Sequence, residues 1–372
     1  MKPICPAHFP WKNYQKYTYP LGLDLGDIFF LSGTSASEYD PVSDKVVARG
    51  DLAVQTRTAL EKIGTILAAS DLSIEDVVSI VQYVTPSAFD KLSDVESIFA
   101  GCGLKSSTRH VSAVNRLMRR DALIELEVIA ARRSARKRLS NTPHIERVLS
   151  KENTLLFVDE LKNGAPQLTV TDAITAEIAS ITSSLNAVGL DWSNIARCRL
   201  ELATSDFGEL DAAVSQARAL LPGLPALPAI GVSSLPGNRK ARLAVEICAS
   251  KGADGAPFET AGGLVRRVGS ILFVTGVGCD QPANDLVGQF ERIYGTVIPD
   301  LLKSFKIDMN GIIQTVEWIT TDVLPSYRET AAVRRKYLCE PFPVASGLVC
   351  SSLPKGHKVT VDIIATAQGS LV

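Results

Sequence analysis

Three leucines, Leu117, Leu235 and Leu353, stand 118 residues apart, and the sequence around each is similar. The windows are Val111-Ser-Ala-Val-Asn-Arg-Leu-Met118, Ala229-Ile-Gly-Val-Ser-Ser-Leu-Pro236 and Gly347-Leu-Val-Cys-Ser-Ser-Leu-Pro354. An apolar strand carrying one acid and ending on alanine follows each window, with Glu127, Glu246 and Asp362 as the acids. A period this long corresponds to a whole domain, well above the ~20–50 residues of a solenoid repeat. The chain reads as three tandem units, expected at 1–134, 141–250 and 258–372.

Within the first unit, Gly26–Gly33 reads as a strand ending on glycine, and the polar stretch 35–50 as a hairpin turning at Asp40-Pro41. Asp51 caps a helix whose apolar face runs through Leu52, Thr56, Ala59, Leu60, Ile63, Ile66 and Leu67. A valine-rich strand (77–84), a second helix (about 89–99) and two closing strands (109–115 and 122–130) complete the unit. The third unit repeats this order, with helices expected at 286–305 and 327–338; the second is more eroded. The class is α+β, each unit a mixed sheet with two helices on one face. Helices on one face leave the other needing cover. Three such sheets can bury those faces on one another as a single-chain pseudo-trimer, with clefts between neighbours.

Composition removes several classes. The net charge of −1 over 372 residues gives no electrostatic footprint for nucleic acid or an anionic membrane. The basic run 131–138 has no interleaved aromatic residue and reads as a solvated linker. No apolar run approaches the ~18 residues of a spanning helix, and the proline-broken N-terminus has no signal-peptide core, so a cytoplasmic protein is expected. The seven cysteines form no CxxC pair; Cys198, Cys248 and Cys350 fall in strand-like runs and read as reduced core thiols. Four histidines without ligand spacing, and no phosphate loop or dinucleotide fingerprint, point to chemistry without metal or cofactor.

Four stretches of the first unit, Gly26–Gly33, Gly50–Glu61, Ser73–Val84 and Leu123–Ala130, resemble the reactive intermediate deaminase (RidA, YjgF-like) family. The resemblance implies a chorismate-mutase-like domain that forms trimers, with pockets between subunits that hydrolyse enamines and imines to carbonyl compounds and ammonia. By position it puts a carboxylate-gripping arginine on Arg109, an acid/base on Glu125, a backbone wall on Ser32-Gly33 and a tyrosine on Tyr19. The chain departs from the family in the turn Met118-Arg-Arg-Asp121, which has one residue more and no proline. The arginine and glutamate positions become Ala345 and Thr360 in the third unit, and Leu227 and Ala244 in the second. The Ser-Gly pair becomes Thr275-Gly276 and Val158-Asp159.

The residues carry a structural alternative beside each role. Arg109 suits bidentate carboxylate binding, or an internal ion pair with Glu125 or Glu127. Glu125 and Glu127 alternate with Leu126 and share a sheet face. The acid aligned with Glu127 recurs in all three units and suits a structural role, whereas Glu125 occurs once and suits acid/base chemistry. Tyr19 lies in a tyrosine-rich lead-in (Tyr14, Tyr17, Tyr19) and fits packing as well as binding. His110, alternating with Arg109, is expected to face the helices. The expected activity is hydrolysis of a small carboxylate-bearing imine or enamine in an inter-domain cleft. A chorismatase-like hydrolysis of an enolpyruvyl ether, and a non-catalytic pseudo-trimer that binds a carboxylate or acts as a scaffold, are the alternatives. Further association of such pseudo-trimers is left open.

Overall fold

The computed structural model describes residues 1–10, 17–104, 108–138, 145–149, 154–158, 169–187, 189–221, 227–249, 258–260, 263–279 and 285–367. Of these, 108–109, 135–138, 145–149, 154–158, 246–249 and 258–260 are described by their backbone alone. The first unit holds β1 (Lys2–Pro3), β2 (Gly22–Asp24), β3 (Ile28–Leu31), β4 (Thr34–Ser35), the hairpin β5 (Ser37–Asp40) and β6 (Lys45–Ala48), α1 (Leu52–Ala68), β7 (Val77–Val84), α2 (Leu92–Gly101), β8 (Thr108–Ala113), β9 (Arg116–Leu117) and β10 (Ile124–Ala131). The second holds β11 (Arg136–Arg138), β12 (Ile145–Leu149), β13 (Thr154–Val158), α3 (Val170–Asn186), β14 (Ile195–Ala203), α4 (Leu210–Leu220), β15 (Ala229–Val232) and β16 (Ala241–Ala249). The third holds β17 (Phe258–Thr260), β18 (Gly263–Val268), β19 (Ile271–Val277), α5 (Leu286–Arg292), α6 (Ile298–Ser304), β20 (Ile312–Thr320), α7 (Thr330–Tyr337), β21 (Val344–Cys350) and β22 (Val359–Thr366).

Each unit builds one sheet, and the strand orders correspond: β1-β2-β3-β10-β7-β8, then β11-β12-β13-β16-β14-β15, then β17-β18-β19-β22-β20-β21-β9. In each sheet one pair is parallel, β7 with β8, β14 with β15, and β20 with β21. The helices cover one face. α1 is typical: the Asp51 carboxylate accepts from the Val54 N–H at 3.0 Å, and a buried stripe from Leu52 to Leu67 packs on the first sheet.

The opposite faces meet one another. Leu117, Leu235 and Leu353, the residues that carry the 118-residue period, lie in a single buried cluster with Tyr83 and Trp318. A second shared cluster joins Phe30, Ala196 and Phe273 from the three sheets. The sheets are also stitched in cyclic order. Strand β3 lies against β21, β8 against β13, and β14 against β19. Ser346 donates to Glu127 at 2.9 Å, Arg199 to Asp362 at 2.6 Å, and Ser112 to Glu201 at 2.6 Å. Glu127 and Asp362, the recurring strand acids, thus work across sheet boundaries; the side chain of Glu246 lies outside the described residues.

Several boundaries differ from the sequence expectation. The run 131–138 is not a linker throughout: β10 continues to Ala131, and Arg136–Arg138 pair with β12 as the first strand of the second sheet. The closing strand 109–115 stops at Ala113, and Arg116–Leu117 instead pair with Val349 and Leu348 of the third sheet. The helix over 286–305 contains a π turn, Ile293–Val297, just before Pro299, which has no N–H to bond the residue four before it. The helix expected from 327 begins at Thr330, after a 3-10 stretch, Thr321–Glu329, that contains Pro325.

Candidate active site

A cavity of about 480 Å³ opens between the first and third sheets. Glu125 stands on its wall at the start of β10, opposite Tyr83 on one side and Ser35 on the other. Gly33 lies directly against it. A Cβ on Gly33 would collide with the Glu125 carboxylate and sit 2.7 Å from Ser346 Oγ, so only glycine admits the acid here. The Gly33 N–H donates to the Ala345 carbonyl at 3.1 Å, and Ser32 Oγ accepts from the Ala345 N–H at 3.0 Å while donating to the Pro20 carbonyl at 2.6 Å. These bonds clamp the two units together at the cavity floor.

Glu125 is 8% exposed. Burial first, and the neighbouring Glu127 charge second, push its carboxyl up to about 8 against the pull of Lys62. Lys62 reaches in from α1 and donates to the carbonyls of Ser35 at 2.6 Å and Ser37 at 2.8 Å; burial brings its amine down to about 7. Tyr19 lines the same cavity, stacked on Tyr17 with ring centroids 5.4 Å apart. Burial, then Tyr17 and Glu125, hold its hydroxyl protonated well above the ordinary range.

The facing wall brings a second carboxylate. Glu317 on β20 accepts from Tyr294 at 2.7 Å, Tyr327 at 2.6 Å and Arg334 at 2.8 Å. It is thus fully compensated, while Glu125 keeps its carboxyl for the cavity. Among the described residues, no group of three or more His, Cys, Asp or Glu is placed to hold a metal, and no helix is long and apolar enough to cross a membrane.

The family model described as Endoribonuclease L-PSP matches residues 12–132. A RutC family protein of Pyrococcus horikoshii is 31% identical over 113 residues, 30% of this chain and 85% of the relative. The chain belongs to the RidA/YjgF family. A RutC family protein of Pyrococcus abyssi is 30% identical over 30% of this chain and 84% of its own length. Among solved structures, E. coli TdcF with bound serine is similar at 29% identity, covering 31% of this chain and 87% of that one, with a TM-score of 0.27.

Within this RidA/YjgF member, Tyr19, Gly33 and Glu125 line one cavity and Ser32 anchors its edge. Arg109 stands apart. Its backbone pairs with Ile80, two strands from Glu125 and three residues along, which puts the two Cα atoms roughly 14 Å apart. The residue that aligns with Arg109 opposite Glu125 is Ala345. Strand β8, which carries Arg109, lies against β13 of the second sheet. The Arg109 side chain lies outside the described residues, as does Asp159. At the third boundary a Cβ on Gly276 would sit 2.6 Å from Pro228, next to Leu227; Thr360 stands at the Glu125 position, and the Gly276 N–H donates to Asp362 at 2.7 Å.

His110 is a correction. It does not face the helices; its ring meets Arg242 at 3.3 Å and Glu201 at 3.9 Å, both from the second sheet. Burial, then Arg242, bring it down to about 4. Unpaired strand faces in this chain turn toward neighbouring sheets, and alternation along β8 therefore sends His110 and Ser112 to the second unit.

Sequence reasoning missed Glu317, Tyr327, Arg334, Arg116, Arg119 and Arg328, all on the cavity wall. One signal was available. Met118 and Arg119 come from the turn in which the chain departs from the RidA/YjgF pattern. That turn is held by Gln55, which donates to the Asp121 carbonyl at 2.9 Å and accepts from the Leu123 N–H at 2.8 Å.

Proposed function

We propose that the chain is a pseudo-trimer of three RidA-like domains and that it hydrolyses a small carboxylate-bearing imine or enamine at the boundary of the first and third. The observation that carries this is the Glu125 carboxyl packed on Gly33 in the cavity between the first and third sheets, the position of the family's acid/base. A carboxyl that titrates near 8 is present in both forms near neutrality, which suits a group that takes a proton and returns it. An enamine enters as its imine tautomer. Water adds to the C=N carbon while Glu125 takes a proton from the water and passes it to the imine nitrogen, giving the carbinolamine. The carbinolamine hydroxyl proton then moves to the leaving nitrogen through the same carboxyl. Collapse of the resulting carbinolamine gives the carbonyl compound and ammonia. The Gly33 backbone and Tyr19 shape the wall that orients the C=N group.

The backbone positions matched to the family's arginine and glutamate lie two strands apart in the first sheet. Among the described residues, the first–third boundary brings a glycine, Glu125 and a cavity together, whereas the backbone of β8, which carries Arg109, lies against the second unit. Ammonia release from freshly generated 2-aminoacrylate and a panel of enamino acids tests the assignment. Turnover by the wild-type chain that falls about 100-fold or more in Glu125→Gln is expected. Equal turnover by the two proteins would overturn it.

A further inference from the structure

The cavity contains more positive charge than the acid/base chemistry requires. Arg116 and Arg119 enter from the first unit, Arg328 and Arg334 from the third. Arg334 is committed to Glu317 at 2.8 Å. Among the described residues, no carboxylate lies within ion-pair distance of Arg116, Arg119 or Arg328. Arg116 Nε is shielded from solvent without a hydrogen-bond partner, a state that costs free energy unless a ligand relieves it. Its backbone is fixed by pairing with Val349 of the third sheet. The charge of Arg119 acts on Tyr19 and Lys62, so it bears on the same space.

The carboxylates present do not cancel these groups. Glu317 has three donors already, and Glu125 sits where its neutral form is favoured. One guanidinium pairs in parallel with one carboxylate, so a monoanion would leave two of the three arginines unmatched.

We infer that this cavity takes a small dicarboxylate, gripped by Arg116 and Arg119 of the first unit and Arg328 of the third in place of Arg109. This rests on the proposed imine-hydrolase reading for its chemistry: one carboxylate flanks the C=N carbon beside Glu125, and the second extends toward the facing wall. One arm of the grip, Arg119, comes from the turn in which the chain departs from its family, and the set compensates for Ala345 at the aligned arginine position. Specificity then comes from charge count, because a three-arginine wall favours a dianion over a monoanion of the same head group.

Titration calorimetry with 2-oxoglutarate and with pyruvate, on the full chain, separates the cases without requiring turnover. The dianion is expected to bind at least about tenfold tighter than the monoanion. Arg119→Gln and Arg328→Gln should each weaken 2-oxoglutarate about tenfold and pyruvate much less, while Arg57→Gln, on the exposed side of α1, changes neither. Arg328 is exposed, so its variant remains informative if Arg119→Gln fails to fold. Equal affinity for the two acids, no binding of either, or unchanged 2-oxoglutarate affinity in both variants would overturn the inference. A retained dianion preference with no ammonia release from any imine would instead sink the hydrolase reading and leave the binding site standing.

Discussion

Asn115 Nδ2 donates to Ser351 Oγ at 2.6 Å, and the same carboxamide accepts from the Ser233 N–H through Oδ1 at 2.8 Å. Residues 115, 233 and 351 hold the same place in the three repeated windows, two before each leucine. One side chain therefore ties equivalent points of all three units. Asn115→Ala should lower stability by about 1–3 kcal/mol, since it leaves a partly buried amide and hydroxyl unmatched. Urea unfolding of Asn115→Ala, Ser351→Ala and the double variant should give a coupling of about 0.5–3 kcal/mol. Strictly additive losses would show that the bond is incidental.

Gly33→Ala tests the close approach at the cavity. The new methyl displaces the Glu125 carboxylate or parts the first and third units. Activity should fall at least about tenfold, as expected for a misplaced acid/base, with the melting temperature changing little if the carboxylate moves. A variant with wild-type kcat/KM would argue against Glu125 as the reacting group.

The pH dependence has a definite sign. Glu125 is raised from 4.5 to about 8 in the folded chain, so between these values the folded state keeps a proton that the unfolded state releases. Stability from this group is present below pH 4.5 and is lost as pH rises toward 8. Lys62, brought down to about 7, works in the opposite sense above pH 7, so the Glu125 effect is best measured below it. Glu125→Gln should be more stable than wild type by about 1–3 kcal/mol at pH 7, and the difference should shrink toward pH 4.5 in denaturant titrations. A constant difference over that range would mean that the carboxyl is not raised.

Arg109→Ala distinguishes position in sequence from position in space. The family resemblance makes it the substrate grip, which predicts a steep rise in KM. Its strand instead lies against the second unit, and the expected change in KM is within about threefold, against about tenfold or more for Arg119→Gln. The reverse ranking would place Arg109 in the Glu125 cavity.

Much of the architecture was legible because its determinants are periodic. Leucines that share one buried cluster must sit at one place in each repeat, and the 118-residue spacing records that. Half of the cavity was legible too. Tyr19, Ser32, Gly33 and Glu125 all come from the first unit, whose sequence resembles the family throughout. The facing wall was not, because Glu317, Tyr327 and Arg334 belong to the third unit, where the resemblance marks none of these positions. The arginines of 131–138 read as a linker since charge alone ignores pairing, yet Arg136–Arg138 gain a strand partner in β12. His110 was misplaced for a related reason: alternation gives two faces, but only the packing of the sheets decides which one meets helices.

Ala345 opposite Gly33 has a consequence for how such a chain can change. In a ring of identical subunits, every substitution appears on both sides of every cleft, so the two walls of a pocket cannot vary separately. Joined in one polypeptide, the Gly33–Glu125 wall and the Ala345–Glu317 wall are encoded 192 or more residues apart, and each is free to drift while the other is held. One boundary can thus become asymmetric without a matching change at the others.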